Sequence, residues 1–172
     1  MTRVVLRPVS ELAPQVERVV ARVTAQLGAL LPDAEVHHIG ATALPGALTK
    51  GDVDVLVRVP PARFTMVVEE LGRHFAVKQP ANWTASFASF GDDAGHELPL
   101  GVQVVAEGGP EDFFLYLRDH FLAHPEALRE YDRLKETYAP GGAEAYWRAK
   151  CEFLGAILDA RDTGDRSGDV HA

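Results

Sequence analysis

Apolar side chains at Val16, Val19, Val20, Val23, Leu27 and Leu30 recur at three- and four-residue intervals, which collects them on one face of an α-helix. Ser10 stands ahead of them as an N-cap. The period then changes. "EVHHI" at 35–39, "DVDVLVRV" at 52–59 and "LGVQVVA" at 100–106 are short, rich in β-branched residues and bounded by turn formers, so each predicts a strand. Pro60-Pro61 closes the second of these. "ARFTMVVEELGRHF" predicts a helix with Gly72 near its end, and "WTASFASF" at 83–90 predicts a half-buried strand. The remainder reads as helices: Pro110 to His124, one starting at Pro125, and one from about Ala143 to Ala160, the last two separated by Pro140-Gly141-Gly142. The pattern predicts an α+β fold, a small mixed sheet flanked by helices with a helical C-terminal section. Residues 1–161 form one domain in this reading, and the polar, glycine-containing segment 162–172 is expected to be disordered.

Composition narrows the picture in three places. A chain of 172 residues buries a proper core as a single domain. A net charge of −8 disfavours duplex nucleic acid and anionic membrane as partners, yet leaves phosphates accessible through a metal ion. The single cysteine, Cys151, excludes an internal disulfide framework and fits a reducing cytoplasm; within a helical pattern it reads as an inert core thiol. No apolar run reaches membrane-spanning length, and the first residues lack a signal-peptide core. The expectation is a cytoplasmic protein.

The chemistry is concentrated at Asp52 and Asp54. Alternate strand residues share a face at roughly 6.5–7 Å between Cα atoms, so these two carboxylates project together. Aspartate is depleted in strands and costly to bury without a partner. Asp-x-Asp at a strand start fits a turn cap or a solvated edge as well as a cation site; the pair directly after a loop containing Gly40, Gly46 and Gly51 is hard to explain by packing alone and points to a cation. Hard oxygen ligands suit Mg²⁺, which keeps water and bridges to phosphate oxygens, and glycine N–H groups can approach those oxygens closely. Lys50 adds a positive charge beside them.

The motif "HHIGATALPG…TKGDVDVLV", with "VQVVAEGG", "LYLRDHFLAHPEALREYDRLKETYA" and "AYWRAKCEFLGAIL" further on, resembles the GrpB family of small nucleotidyltransferase-like proteins over residues 35 to 160. The wider superfamily pattern maps onto Ile39, Gly40, Ala41, Asp52 and Asp54. The resemblance implies a nucleotidyltransferase-like fold, Mg²⁺ or Mn²⁺ on Asp52 and Asp54, and a nucleoside triphosphate as substrate. It further implies nucleotide contacts from Gly40, Ala41, Thr42, Lys50, Arg118 and Lys150, and transfer of a nucleoside monophosphate to an unidentified small-molecule or protein acceptor.

Two positions depart from the pattern. Ala41 replaces the usual Gly or Ser. Gly101 and Gln103 occupy the strand positions where a third carboxylate, or the His-x-His common in the family, is expected. Gln103 marks the third-carboxylate position, and Glu97 substitutes only if its connector folds inward. These departures imply one metal rather than two, and keep a second reading open: a nucleotide- or metabolite-binding protein of the same fold with little catalysis. No Gly-x4-Gly-Lys-Ser/Thr phosphate loop is present. His37 and His38 alternate faces without a ligand-spaced partner. Tyr131, Tyr146, Trp147 and Phe153 read as helix packing, and Asp119, Glu130 and Asp132 as surface partners for Lys and Arg.

Overall fold

The computed structural model describes residues 4–168. Glu35–Ile39 (β2), Val53–Val59 (β4), Ala76–Val77 (β5), Phe87–Asp92 (β6) and Leu100–Ala106 (β7) form a five-stranded sheet in the order β2-β4-β7-β6-β5. Only the β4–β7 pair is parallel. A second, two-stranded ladder joins Arg7–Pro8 (β1) to Leu48–Thr49 (β3); elements this short carry no periodic signal in the sequence. Among the described residues five α-helices complete the fold: Ala13–Leu30 (α1), Phe64–Leu71 (α2), Phe114–Ala123 (α3), Pro125–Tyr138 (α4) and Ala143–Gly168 (α5).

The central strands are buried on both faces, as parallel pairing requires. On one face Val53, Val55, Val57 and Val59 of β4, with Val102 and Val104 of β7, meet Val16, Val19, Val23 and Leu27 of α1 and Val67 and Leu71 of α2. Each such side chain contributes roughly 1.5–3 kcal/mol of apolar burial. The opposite face carries Asp54, Leu56 and Arg58. There Ile39, Leu56 and Val105 pack against Phe114 and Leu115 of α3. A third cluster unites Val9, Leu44 and Ala47 with Phe121, Tyr131, Phe153 and Ile157. The C-terminal helices therefore dock on the loop between β2 and β4, not only on the sheet.

Several predicted boundaries move. Helix α1 begins at Ala13 with Leu12 as its unbonded N-cap, because Pro14 fixes the first turn and Ser10 lies in a preceding 3₁₀ turn. The strand predicted at 83–90 is observed at Phe87–Asp92. Phe87 and Phe90 differ in parity and lie on opposite faces: Ala88 and Phe90 face α1 and α2, and Phe87 faces α3. Helix α5 continues to Gly168, beyond the end that composition predicts, and residues 169–172 of the expected disordered segment lie outside the described residues. Among the described residues no helix is long and apolar enough to cross a membrane.

Candidate functional site

Asp54 is the second residue of β4, and the register aligns Ile39, Asp54, Gly101 and Gly91 in one row across the sheet. The two glycines nearest Asp54 explain its position. A Cβ built on Gly101 would lie 2.3 Å from Asp54 Oδ1, and one on Gly40 would lie 2.8 Å from Oδ2. The carboxylate occupies the volume that side chains at both positions would take. Gly40 also has φ +74°, a left-handed conformation that other residues rarely adopt. Gly40 is thus required by its backbone conformation, and a side chain at Gly101 would displace the Asp54 carboxylate.

Burial is the largest influence on Asp54 and the charge of Asp52 the next; together they push its pKa up to about 6. Lys150, a hydrogen bond from Gln103, and Lys50 oppose that rise. Lys50 Nζ sits 3.3 Å from Asp52 Oδ2. Lys150, on α5, is pushed down to about 8, first by burial and then by the charge of Lys50, while Asp52 and Asp54 pull the other way. Its Nζ lies 5.3 Å from the Tyr146 ring centre and 5.2 Å from that of Trp147. The Tyr146 hydroxyl is raised to about 12 by burial and by the charges of Asp52 and Asp132. Two acidic groups, two lysines and a tyrosine from two separate stretches of chain, residues 50–54 and helix α5, converge here.

A buried ion pair fixes the loop that carries Lys50. Lys135 of α4 is 1% exposed. Its Nζ donates to the Leu48 carbonyl, lies 2.6 Å from Asp132 Oδ1 and sits 4.7 Å from the Tyr131 ring centre. Asp132 in turn accepts the Leu48 N–H at 3.1 and 3.2 Å. Both backbone groups of Leu48 are held by one turn of α4. Desolvation keeps the Lys135 pKa below its ordinary value despite Asp132.

The structure brings Asp52, Asp54, Gly40, Lys50, Lys150 and Gln103 together. Ala41 and the buried Thr42 form a 3₁₀ turn after Gly40, where Thr42 Oγ1 is 2.9 Å from His38 Nε2. Arg118 does not join them: it donates to the His38 carbonyl at 3.3 Å and to Asp119 at 2.8 Å. Glu97 is held by a two-point pair with Arg18 of α1 at 2.7 and 2.8 Å, so its connector folds outward and does not supply a third carboxylate. Gly101 cannot supply one either, because Asp54 fills its side-chain volume. Cys151, expected in the core, is exposed on α5. Among the described residues no group of three or more His, Cys, Asp or Glu side chains is arranged to hold a metal ion. The arrangement offers two hard oxygen donors flanked by lysines, a set that suits one Mg²⁺ completed by water and phosphate oxygens.

A family model described as "GrpB protein" matches residues 4–160. The chain belongs to the GrpB family. A similar protein is an UPF0157 protein of Vibrio cholerae, 33% identical over 134 residues, covering 77% of this chain and 70% of that protein. The crystal structure of GrpB from Enterococcus faecalis matches with a TM-score of 0.66 at 17% identity, over 90% of this chain and 99% of that one; that likeness is one of fold. More distantly, Cid1 poly(U) polymerase with MgGTP bound gives a TM-score of 0.48 at 15% identity, over 73% of this chain and 42% of that one, too slight a likeness to bear on the ligands of this GrpB protein.

Sequence reasoning missed three features of the site. Asp132 reads in the sequence as a surface partner for Lys and Arg, whereas it pairs with the buried Lys135 and accepts the Leu48 N–H. Gly101 looked like an absent ligand when it is the space Asp54 needs. Trp147, assigned to packing, keeps 51% of its surface exposed beside Lys150; its signal was an aromatic three residues before a lysine that the family pattern already marked.

Proposed function

We propose that this GrpB protein is a Mg²⁺-dependent nucleotidyltransferase, in which Asp52 and Asp54 hold the metal against the phosphates of a nucleoside triphosphate. The observation that carries the reading is the glycine cradle: two close approaches, at Gly40 and Gly101, hold a part-buried Asp54 carboxylate beside Asp52. A carboxylate pair whose mutual repulsion raises a pKa is stabilised by a cation placed between its members. When bound, Mg²⁺ would neutralise the developing charge on the phosphoryl oxygens and align them for displacement.

The remaining work falls to the chain itself. Lys50 and Lys150 offset the charge of the triphosphate. Backbone N–H groups of the 3₁₀ turn at Ala41–Ala43 lie beside the cradle and contact phosphate oxygens in this reading. Gln103 orients Asp54 through its amide. An acceptor hydroxyl or amine attacks the α-phosphorus, and pyrophosphate leaves. The proposed setting is the cytoplasm, where nucleoside triphosphate and Mg²⁺ are at hand.

One observation favours a second reading, in which the protein binds a nucleotide without turning it over. Gln103 is neutral, Gly101 carries no side chain and one there would displace Asp54, and Ala41 supplies no hydroxyl, so two carboxylates act alone. Incubation with α-³²P-labelled nucleoside triphosphates, Mg²⁺ and a cell extract as acceptor source separates the two. Labelled product that disappears in Asp54→Asn supports transfer. Metal-dependent nucleotide binding without labelled product or pyrophosphate release supports the binding protein.

A further inference from the structure

Beside the carboxylate pair opens a cleft of about 590 Å³ lined by Val4, Val5, Lys50, Gln79, Tyr146 and Trp147 among others, within the usual size range of small-molecule sites. Lys50 belongs to both places: it lines the cleft and pairs with Asp52 at 3.3 Å. Lys150 binds the two regions from the other side, its ammonium lying over the rings of Tyr146 and Trp147 while it feels the charge of Asp52 and Asp54. Trp147 is half exposed there. An indole left wet at the edge of a charged site has a polarizable face for a planar ligand.

Gln79 is the second independent feature. It is the only non-glycine residue with positive φ among the described residues, at φ 41° and ψ 55°, a conformation that side-chain-bearing residues adopt at a cost. Its neighbours hold it there. The Lys78 carbonyl accepts both Trp83 Nε1–H at 2.9 Å and Ser89 Oγ–H at 2.8 Å, and the Lys78 N–H donates to the Ser89 carbonyl at 2.9 Å. The Gln79 carbonyl accepts the Asn82 N–H at 2.9 Å, and Asn82 Nδ2 donates to Gln79 Oε1 at 3.2 Å, which fixes the orientation of the side-chain amide. A strained backbone so strongly constrained sets Gln79 in the wall of the cleft, and packing of the core gains nothing from it, since Gln79 is exposed.

We propose that the cleft is a nucleobase site, in which Trp147 stacks on the base and the Gln79 amide hydrogen-bonds its edge. The inference rests on the nucleotide reading above for the position of the phosphates, with Lys50 between base and metal ligands. Stacked on Trp147, the base places its triphosphate toward Lys50, Lys150 and the carboxylate pair.

The test compares MgATP, Mg-tripolyphosphate and free adenosine by calorimetry and tryptophan fluorescence, on the wild type, Trp147→Ala, Trp147→Phe and Gln79→Gly. Trp147→Ala is expected to weaken MgATP binding roughly five- to hundredfold, the range for loss of one stacked base, with tripolyphosphate affinity unchanged and Trp147→Phe close to wild type. Gln79→Gly is expected to weaken MgATP binding while raising the melting temperature, because it removes both the amide and the strain. MgATP affinity unaltered in Trp147→Ala overturns the inference, as does an equal loss for tripolyphosphate. If neither MgATP nor tripolyphosphate binds in a metal-dependent way but adenosine still quenches Trp147, the base site stands and the transferase reading falls. If no probe binds or quenches, both fall.

Discussion

Replacing Asp54 by asparagine separates a functional carboxylate from a structural one. An acid whose folded-state pKa is raised holds its proton more tightly in the native state than in the unfolded chain. It contributes no penalty below the unfolded value near 3.8, and the penalty accrues as pH rises toward about 6 and is complete above it. Between these values, at roughly 1.4 kcal/mol for each tenfold change in proton affinity, the ionised carboxylate costs the metal-free fold about 3 kcal/mol at neutral pH. Asparagine keeps the shape between Gly40 and Gly101 and an oxygen for Gln103, but carries no charge. Asp54→Asn is therefore expected to melt higher than the wild type at pH 7.5 without metal, by roughly 6–12 °C for a chain of this size, to keep about a third of that advantage at pH 4.5, and to show little difference at pH 3.5. Thermal unfolding by circular dichroism across that pH range, in chelator, measures it. A variant that is no more stable at pH 7.5, or whose advantage does not change with pH, refutes the electrostatic account of the site.

Other consequences are equally concrete. Metal affinity of the wild type should fall as pH drops through about 6, where Asp54 takes up its proton, which a Mn²⁺ titration by electron paramagnetic resonance follows. Gly101→Ala should displace Asp54, costing about 1–3 kcal/mol by overpacking and abolishing metal binding; unchanged affinity contradicts the cradle. Lys135→Met leaves the part-buried Asp132 without its counter-charge, so denaturant unfolding should show a loss of about 3 kcal/mol, and pairing it with Asp132→Leu should recover part of that. Gln103→Asp should raise metal affinity and turnover if the site has lost a carboxylate, whereas Glu97→Gln should leave metal affinity unaltered because Glu97 is committed to Arg18.

Much of this was legible in the sequence for identifiable reasons. Val53, Val55 and Val57 are inward neighbours of Asp54, and a period of two puts every residue of β4 on its correct face. Helix α1 reads clearly because its apolar stripe lies against that sheet. What could not be read depends on partners distant in sequence. Lys135 is charged and lies in a helix with low apolar content, so nothing local distinguishes it from a solvated lysine; its partner is the backbone of Leu48. Gly101 acquires meaning only once β7 lies beside β4 and Asp54 leans over it. The cleft assembles from Gln79, Lys50 and Trp147, three residues from different elements whose proximity no spacing reveals.

The central claim is that Asp52 and Asp54 bind a nucleotide through a divalent cation. Calorimetric titration of ATP, GTP, CTP and UTP, with and without Mg²⁺, on the wild type and on Asp52→Ala/Asp54→Ala tests it most directly. The account predicts Mg²⁺-dependent binding of at least one nucleotide that is lost in the double variant. A folded wild-type protein that binds none of the four, or a double variant that binds them equally well, contradicts it.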